Sequence, residues 1–411
     1  MLENFDHLLK KYAHLLVHKG LGVSKDDYIQ LAADIELAPL VRLISQEAYQ
    51  AGAKKVIVRY QDDQLSRIHY EGQSVETLTD IPQYRIDESN DLINKRTKRM
   101  SLRSSDPNAL KGIDPEKISQ AQRATSKALK EERLATQANV VSWLVAAGAG
   151  QAWANLVFPD LEDEAALDAL WDEIFKTTRV YEADPVKAWD EHEARLQTKA
   201  DFLNKNQFDF LHYTGPGTDL KLGLPKNHVW ESAGSVNEKG EVFIANMPTE
   251  EVFTAPDANR AEGVITSSKP LSYGGVVIDQ MTFHFEGGKI TKATAEEGEE
   301  TLQKLINDND GARQLGEVAL VPHQSPISQS NIIFFNTLFD ENASNHLAIG
   351  QAYATSVENG AKMSQDELNE VGLNRSDVHV DFMVGNAEMN IDGITKDGEV
   401  IPVFRNGEWA F

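Results

Sequence analysis

Cysteine is absent from the chain. Its absence removes disulfides, thiolate zinc sites, iron–sulfur clusters and cysteine nucleophiles together. Any metal must be held by His, carboxylate or, rarely, Tyr, which narrows the ion to Zn, Co, Mn, Mg, Ca or non-haem iron. Positive charge is scarce as well: 40 Lys and Arg stand against 64 Asp and Glu, a formal net charge of −24. Such a balance argues against nucleic acid as a partner, because phosphate binding needs clustered Lys and Arg. One basic run, Lys95, Arg96, Lys98, Arg99 and Arg103, reads as a solvated turn and strand face rather than an anion site.

Long apolar runs are missing too. Leu134 to Pro159 carries no charge, yet Thr136, Gln137, Asn139, Ser142, Gln151 and Asn155 interrupt it. A membrane span needs about 20 predominantly apolar residues, so a buried strand (VVSWLVAA) followed by a Gly-rich turn fits better. The N-terminus has Glu3, Asp6, Lys10 and Lys11 in an amphipathic pattern and no apolar core behind a basic segment, so a cytoplasmic protein is expected. No GxGxxG, GxxxxGK[ST] or GxSxG occurs, which leaves dinucleotide, P-loop and serine-hydrolase readings without support. His192-Glu193 lacks the second His of HExxH and reads as a solvated helix face.

What is present divides in two by texture. Up to about residue 204, helical and β-branched segments alternate. Leu2 to His18 has helical spacing and Gly20 as a stop, Tyr28 to Ala33 is a short strand, and Pro39 opens a helix ending at Gly52. Lys55 to Tyr60 is a strand, and Arg99 to Arg103, closed by Asp106-Pro107, is another. Ile118 to Leu134 reads as one polar helix, Val140 to Ala147 as a buried strand, and Glu162 to Thr177 and Asp184 to Asn204 as helices. Strand, helix, strand at this spacing predicts a parallel sheet. From residue 205 to 411 the chain alternates, turns often and is Gly-rich, which predicts mostly antiparallel β. The expectation is an α/β N-terminal domain, 1–204, followed by a mostly β (α+β) metal-binding domain, 205–411.

Four segments of that second half carry metal-type ligands. VHVDFMV is a strand by propensity, and alternation puts His379 and Asp381 on one face. Burying them unpaired is unfavourable. A shared metal or a plain His–Asp hydrogen bond removes the difficulty equally well. His346 and Tyr353 are seven residues apart, close to two helical turns, so a helix capped by Asp340 or Asn342 would turn both the same way. The alternative is a core Tyr beside a satisfied His. Glu317 opens the apolar run EVALVP, and Glu250 and Glu251 precede VFTAP. Each alone is an ordinary strand end. Two His and three carboxylates together suffice for two divalent ions.

NMPTEEVFTAP, LGEVALVP, LFDENASNHLAIGQAYA and VHVDFMVG resemble the signatures of the aminopeptidase T and aminopeptidase S family, bacterial two-metal aminopeptidases of the thermophilic type. The likeness extends through FPDLEDEAALDALWDEIFKTTRV, DPVKAWDEH and GPGTDLKLGL, and so over essentially the whole chain. It implies metal-site residues Glu251, Glu317, His346, Tyr353, His379 and Asp381. Glu250 is then a partner or proton carrier, with Tyr353 and Glu317 as further catalytic groups. It also implies a pair of divalent ions (Zn or Co, with Mn the next candidate), peptide substrates with a free N-terminus, and a homodimer enclosing the active sites. Two other classes stay open on the residues alone: a two-metal phosphoesterase, which usually needs an Arg or Lys clamp, and a non-catalytic metal-binding protein with a coordinatively closed site.

Overall fold

The computed structural model describes residues 2–411 apart from 105, 107, 274 and 275. The chain divides into two compact units, residues 1–192 with 234–248, and residues 193–233 with 249–411.

The first unit is built on a parallel five-stranded sheet. Its strands are β1 (Tyr28–Asp34), β2 (Lys55–Gln61), β3 (Lys98–Arg103), β4 (Trp143–Ala147) and β5 (Asn246–Met247), in the spatial order β2-β1-β3-β4-β5. The expected parallel sheet is therefore present. Helix α1 (Phe5–Leu15) buries Leu8, Leu9, Tyr12, Ala13 and Leu15, then widens to a π turn over Leu16–Gly20. Helix α2 (Ala38–Gln50) buries Leu40, Val41, Ile44 and Ala48, with Pro39 in its first turn. This is the i, i+4 stripe that covers a sheet face. Asp63 to Asn94 adds three further short helices between β2 and β3.

Three expectations need correction here. The polar segment at 118–134 is two helices, Pro115–Ala128 and Lys130–Gln137, because the first closes at Leu129. The basic run is a solvated face only in part: Lys95, Arg96 and Arg103 are exposed, whereas Lys98 and Arg99 turn inward. Lys98 is 1% exposed, donates to the Gly22 carbonyl and pairs with Asp27 at 2.9 Å and Glu241 at 3.1 Å. Arg99 pairs with Glu132. These cations are buried because carboxylates from other segments meet them, which no local pattern reveals. His192 is likewise buried, its ring edge-on to Trp189 and its Nδ1 3.1 Å from Arg179. The Pro107 part of the expected stop after β3 lies outside the described residues.

The second unit is mostly antiparallel β. One sheet has eight strands, in the order Lys289–Thr294, Thr282–Glu286, Ala261–Thr266, Thr218–Gly223, Phe210–Gly215, Asn390–Ile394, Val400–Arg405 and Glu408–Trp409. The GPGTD segment turns the tight hairpin between two of them. The other sheet has four strands: β6 (Val252–Thr254), β7 (Leu315–Leu320), β8 (His346–Gly350) and β9 (His379–Met383), adjacent in that order and antiparallel throughout. Val318, Leu320, Leu347, Ile349 and Phe382 from one face of this small sheet are buried. Phe382 reaches Phe283 of the large sheet at 4.6 Å between ring centroids.

Candidate metal centre

The register of the small sheet sorts its side chains. Ala319 faces His346, which faces Met383; Glu317 faces Ala348, which faces Asp381; Gly350 faces His379. Directly paired residues in an antiparallel sheet point to one side, as do residues two apart along a strand. Glu317, His346, His379 and Asp381 thus share one face, and Ala319, Ala348 and Gly350 fill the positions between them. Bulky neighbours there would occupy the space that the four functional side chains enclose. Glu251 enters from the residue before β6. Alternation in the last strand, read from VHVDFMV, is as expected.

The distances identify what this cluster is built for. His346 Nε2 lies 3.2 Å from Glu251 Oε2 and 3.5 Å from Glu317 Oε1. His379 Nε2 lies 3.6 Å from Glu317 Oε2 and 3.5 Å from Asp381 Oδ1. Three of these four separations exceed a good hydrogen bond. All four sit near about 3.3 Å, the edge of a tetrahedron of ligands around an ion held at zinc-type bond lengths. Both rings are oriented from behind. His346 Nδ1 donates to the Ser344 carbonyl at 3.1 Å and His379 Nδ1 to that of Gln351 at 2.7 Å. Donation through Nδ1 leaves the neutral ring's lone pair on Nε2, facing carboxylate oxygens. This is the tautomer a metal requires and one that repels the acids without it. Among the described residues, the buried Glu251 Oε2 and Asp381 Oδ1 find no hydrogen bond of good geometry. The donor set of two imidazoles and three carboxylates therefore fits divalent ions on its own chemistry. It falls into two groups, Glu251–Glu317–His346 and Glu317–His379–Asp381, joined at Glu317.

Electrostatics agree. Burial pushes the Glu317 carboxyl up, and the charges of Asp381 and Glu251 add to that. Desolvation alone would lower both imidazoles, but the facing carboxylates outweigh it: His346 is held well above its ordinary value, and His379 is raised to about 9. A cluster that draws in protons this strongly is short of positive charge.

A residue the sequence reading passed over belongs here. Burial, and then the charges of Glu251 and Asp381, drive the Glu341 carboxyl well above its ordinary value. It lies between Asp340 and Asn342, five residues before His346, in a segment read only for helix caps. Its acid so close to a candidate ligand was the available signal. Glu250 is buried but falls in neither ligand group; its amide donates to Asn342 Oδ1 at 2.7 Å.

His346 and Tyr353 do not share a helix. His346 opens β8, paired on both edges, and the chain bends before Tyr353, which precedes a short 3₁₀ turn at Ala354–Ser356. The expected helix cap at Asp340 or Asn342 is replaced by Asn336, whose Oδ1 accepts from Leu338 N at the start of the short helix Thr337–Asp340. Tertiary strand pairing has overridden the local helical spacing. Tyr353 still reaches the cluster, its ring 5.2 Å from that of His379 and edge-on to Phe253 at 6.3 Å. Tyr353 is 42% exposed as a residue, but burial around its hydroxyl and then the charges of Glu317 and Asp381 raise the hydroxyl pKa above its usual value.

A family model described as thermophilic metalloprotease (M29) matches residues 5–409. The chain belongs to that family. Aminopeptidase PepS of Streptococcus thermophilus is 55% identical to this M29 chain over 411 residues, covering 100% of both sequences. Aminopeptidase AmpS of Bacillus subtilis is 49% identical, again over 100% of both. The solved structure titled wild-type AmpT from Thermus thermophilus superposes with a TM-score of 0.93 at 39% identity, over 99% of this chain and 100% of that one. The M29 chain is a metal-dependent aminopeptidase.

Proposed function

We propose that the chain releases N-terminal residues from peptides at a centre of two divalent ions, Zn or Co by preference and Mn as the further candidate. Glu251, Glu317, His346, His379 and Asp381 would hold them. The observation that carries this reading is Glu317, which turns Oε1 toward His346 and Oε2 toward His379 and so joins the two ligand groups. Charge supports the same number: Glu251, Glu317, Glu341 and Asp381 are four acids, matched by two divalent cations.

When bound, the ions supply a water acidified toward neutrality and polarise the scissile carbonyl. The protein's own groups do the rest. The two imidazoles, fixed through Nδ1, keep their ligand atoms in place without reorganisation. The Tyr353 hydroxyl, kept protonated, donates to the oxyanion that develops on the carbonyl. A carboxylate relays a proton to the leaving amine. Glu250, Glu317 and Glu341 are the groups available for that step. Glu341 is the one coupled in charge to the cluster without belonging to either ligand group. Family resemblance supports a homodimer, which sedimentation would test.

His346→Ala and His379→Ala are expected to lose bound metal and hydrolysis of aminoacyl-p-nitroanilides together. Adding Zn, Co and Mn separately to chelated wild type should restore activity to differing extents. Activity retained by chelated protein would overturn the reading.

A further inference from the structure

We propose that His14, His18 and Glu47 form a separate surface site for one divalent ion of the zinc, nickel and copper class. His14 lies on α1 and His18 in the π turn that continues it, four residues on, so the two share a helix face. Their rings lie side by side, tilted by 37°, with centroids 4.2 Å apart. Glu47 reaches them from α2. His14 Nδ1 is 2.7 Å and His18 Nε2 3.0 Å from the same atom, Glu47 Oε1. Two imidazole nitrogens and a carboxylate oxygen thus converge on one point.

The donor set selects the ion. Two imidazoles with one carboxylate suit Zn, Ni and Cu, whereas Mg and Ca prefer oxygen alone. The site is open to solvent, with side-chain exposures of 52% for His14, 33% for His18 and 23% for Glu47. An ion can enter from solvent and keep water at its remaining positions. As they stand, the contacts are hydrogen bonds. Spreading them to the edge of about 3.3 Å that zinc-type bond lengths dictate needs Glu47 to withdraw by roughly half an ångström. A long, partly exposed side chain can do that. The two rings, already held by Glu47 Oε1, need little further ordering, which lowers the entropic cost of binding.

The site shares no residue with the centre at Glu317, and its chemistry is different. It has one carboxylate where the other has several, and no orphaned acid oxygen. An ion here ties α1 to α2 and holds the N-terminal helix against its neighbour. Reconstitution with excess zinc would then load more ions than hydrolysis uses.

The test is calorimetric titration of Zn2+ into full-length protein already loaded with zinc and freed of excess metal by desalting. Wild type should bind one further ion per chain and gain thermal stability as it does. His14→Ala and His18→Ala should each weaken that binding about tenfold or more, which corresponds to about 1.4 kcal/mol. Both should leave hydrolysis unchanged, and His7→Ala should bind like wild type. No further ion in wild type, or isotherms for His14→Ala and His18→Ala that coincide with it, would overturn the proposal.

Discussion

Glu317 is the residue on which the centre turns, because among the described residues it alone pairs with both histidines. Its contribution changes sign with the metal. In chelated protein it is an acid pushed upward by burial and then by its neighbours' charge, so Glu317→Gln should raise the apo Tm. In loaded protein the same change should release metal and abolish hydrolysis. Differential scanning calorimetry with and without chelator checks both arms, and a fall in the apo Tm would count against the assignment. Tyr353→Phe separates a donor from a ligand. If the hydroxyl serves the oxyanion, kcat should drop about 10²–10³-fold with metal content intact. Loss of metal instead would make Tyr353 a structural ligand. Glu341 was barely legible in the sequence, since its one signal, an acid five residues before His346, lies among cap residues. His379 and Asp381 were legible, because strand alternation is local.

At the scale of elements, the small sheet depends on close backbone approach. Gly350 ends β8 opposite His379 with φ +104, and an added Cβ would stand 2.1 Å from the Val378 carbonyl oxygen. Gly350→Ala should therefore cost roughly 1–3 kcal/mol from backbone conformation alone. It should also spread β8 from β9, weakening metal binding through His346 and His379; thermal unfolding and metal analysis read the two effects. Gly316 is nearly as tight, its Cβ position 2.3 Å from the Gly350 carbonyl oxygen. The parallel strands of the first unit were readable because KVIVRY and WLVAA carry β-branched or continuous apolar runs. β8 was not. HLAIGQAYA suits helix or strand locally, and hydrogen-bonding partners in β7 and β9 decide it. The same holds for Lys98, whose burial depends on Asp27 and Glu241, far away in sequence.

For the whole molecule, composition indicated the two textures and the mainly antiparallel second part. It carried no sign that residues 234–248 return to the first unit, where β5 adds to the parallel sheet beside β4. Metal and stability are linked across the molecule, since binding only the folded state adds about 2.7 kcal/mol at a hundredfold excess over Kd. The pH slopes of chelated and loaded protein should oppose one another. In chelated protein His379 is raised to about 9. A raised imidazole stabilises fully below its unfolded value, and that stability is lost as pH climbs from about 6.5 through the folded value. In loaded protein, protons compete with the ions, so stability should rise over the lower part of that interval. Tm against pH for both forms checks this. The most direct test of the two-ion account is hydrolysis of an aminoacyl-p-nitroanilide as metal is added back to chelated protein. It is best done in the His14→Ala background, so that the surface ion is not counted. The account predicts that activity climbs until about two equivalents per chain are bound. Full activity at a single equivalent would contradict it.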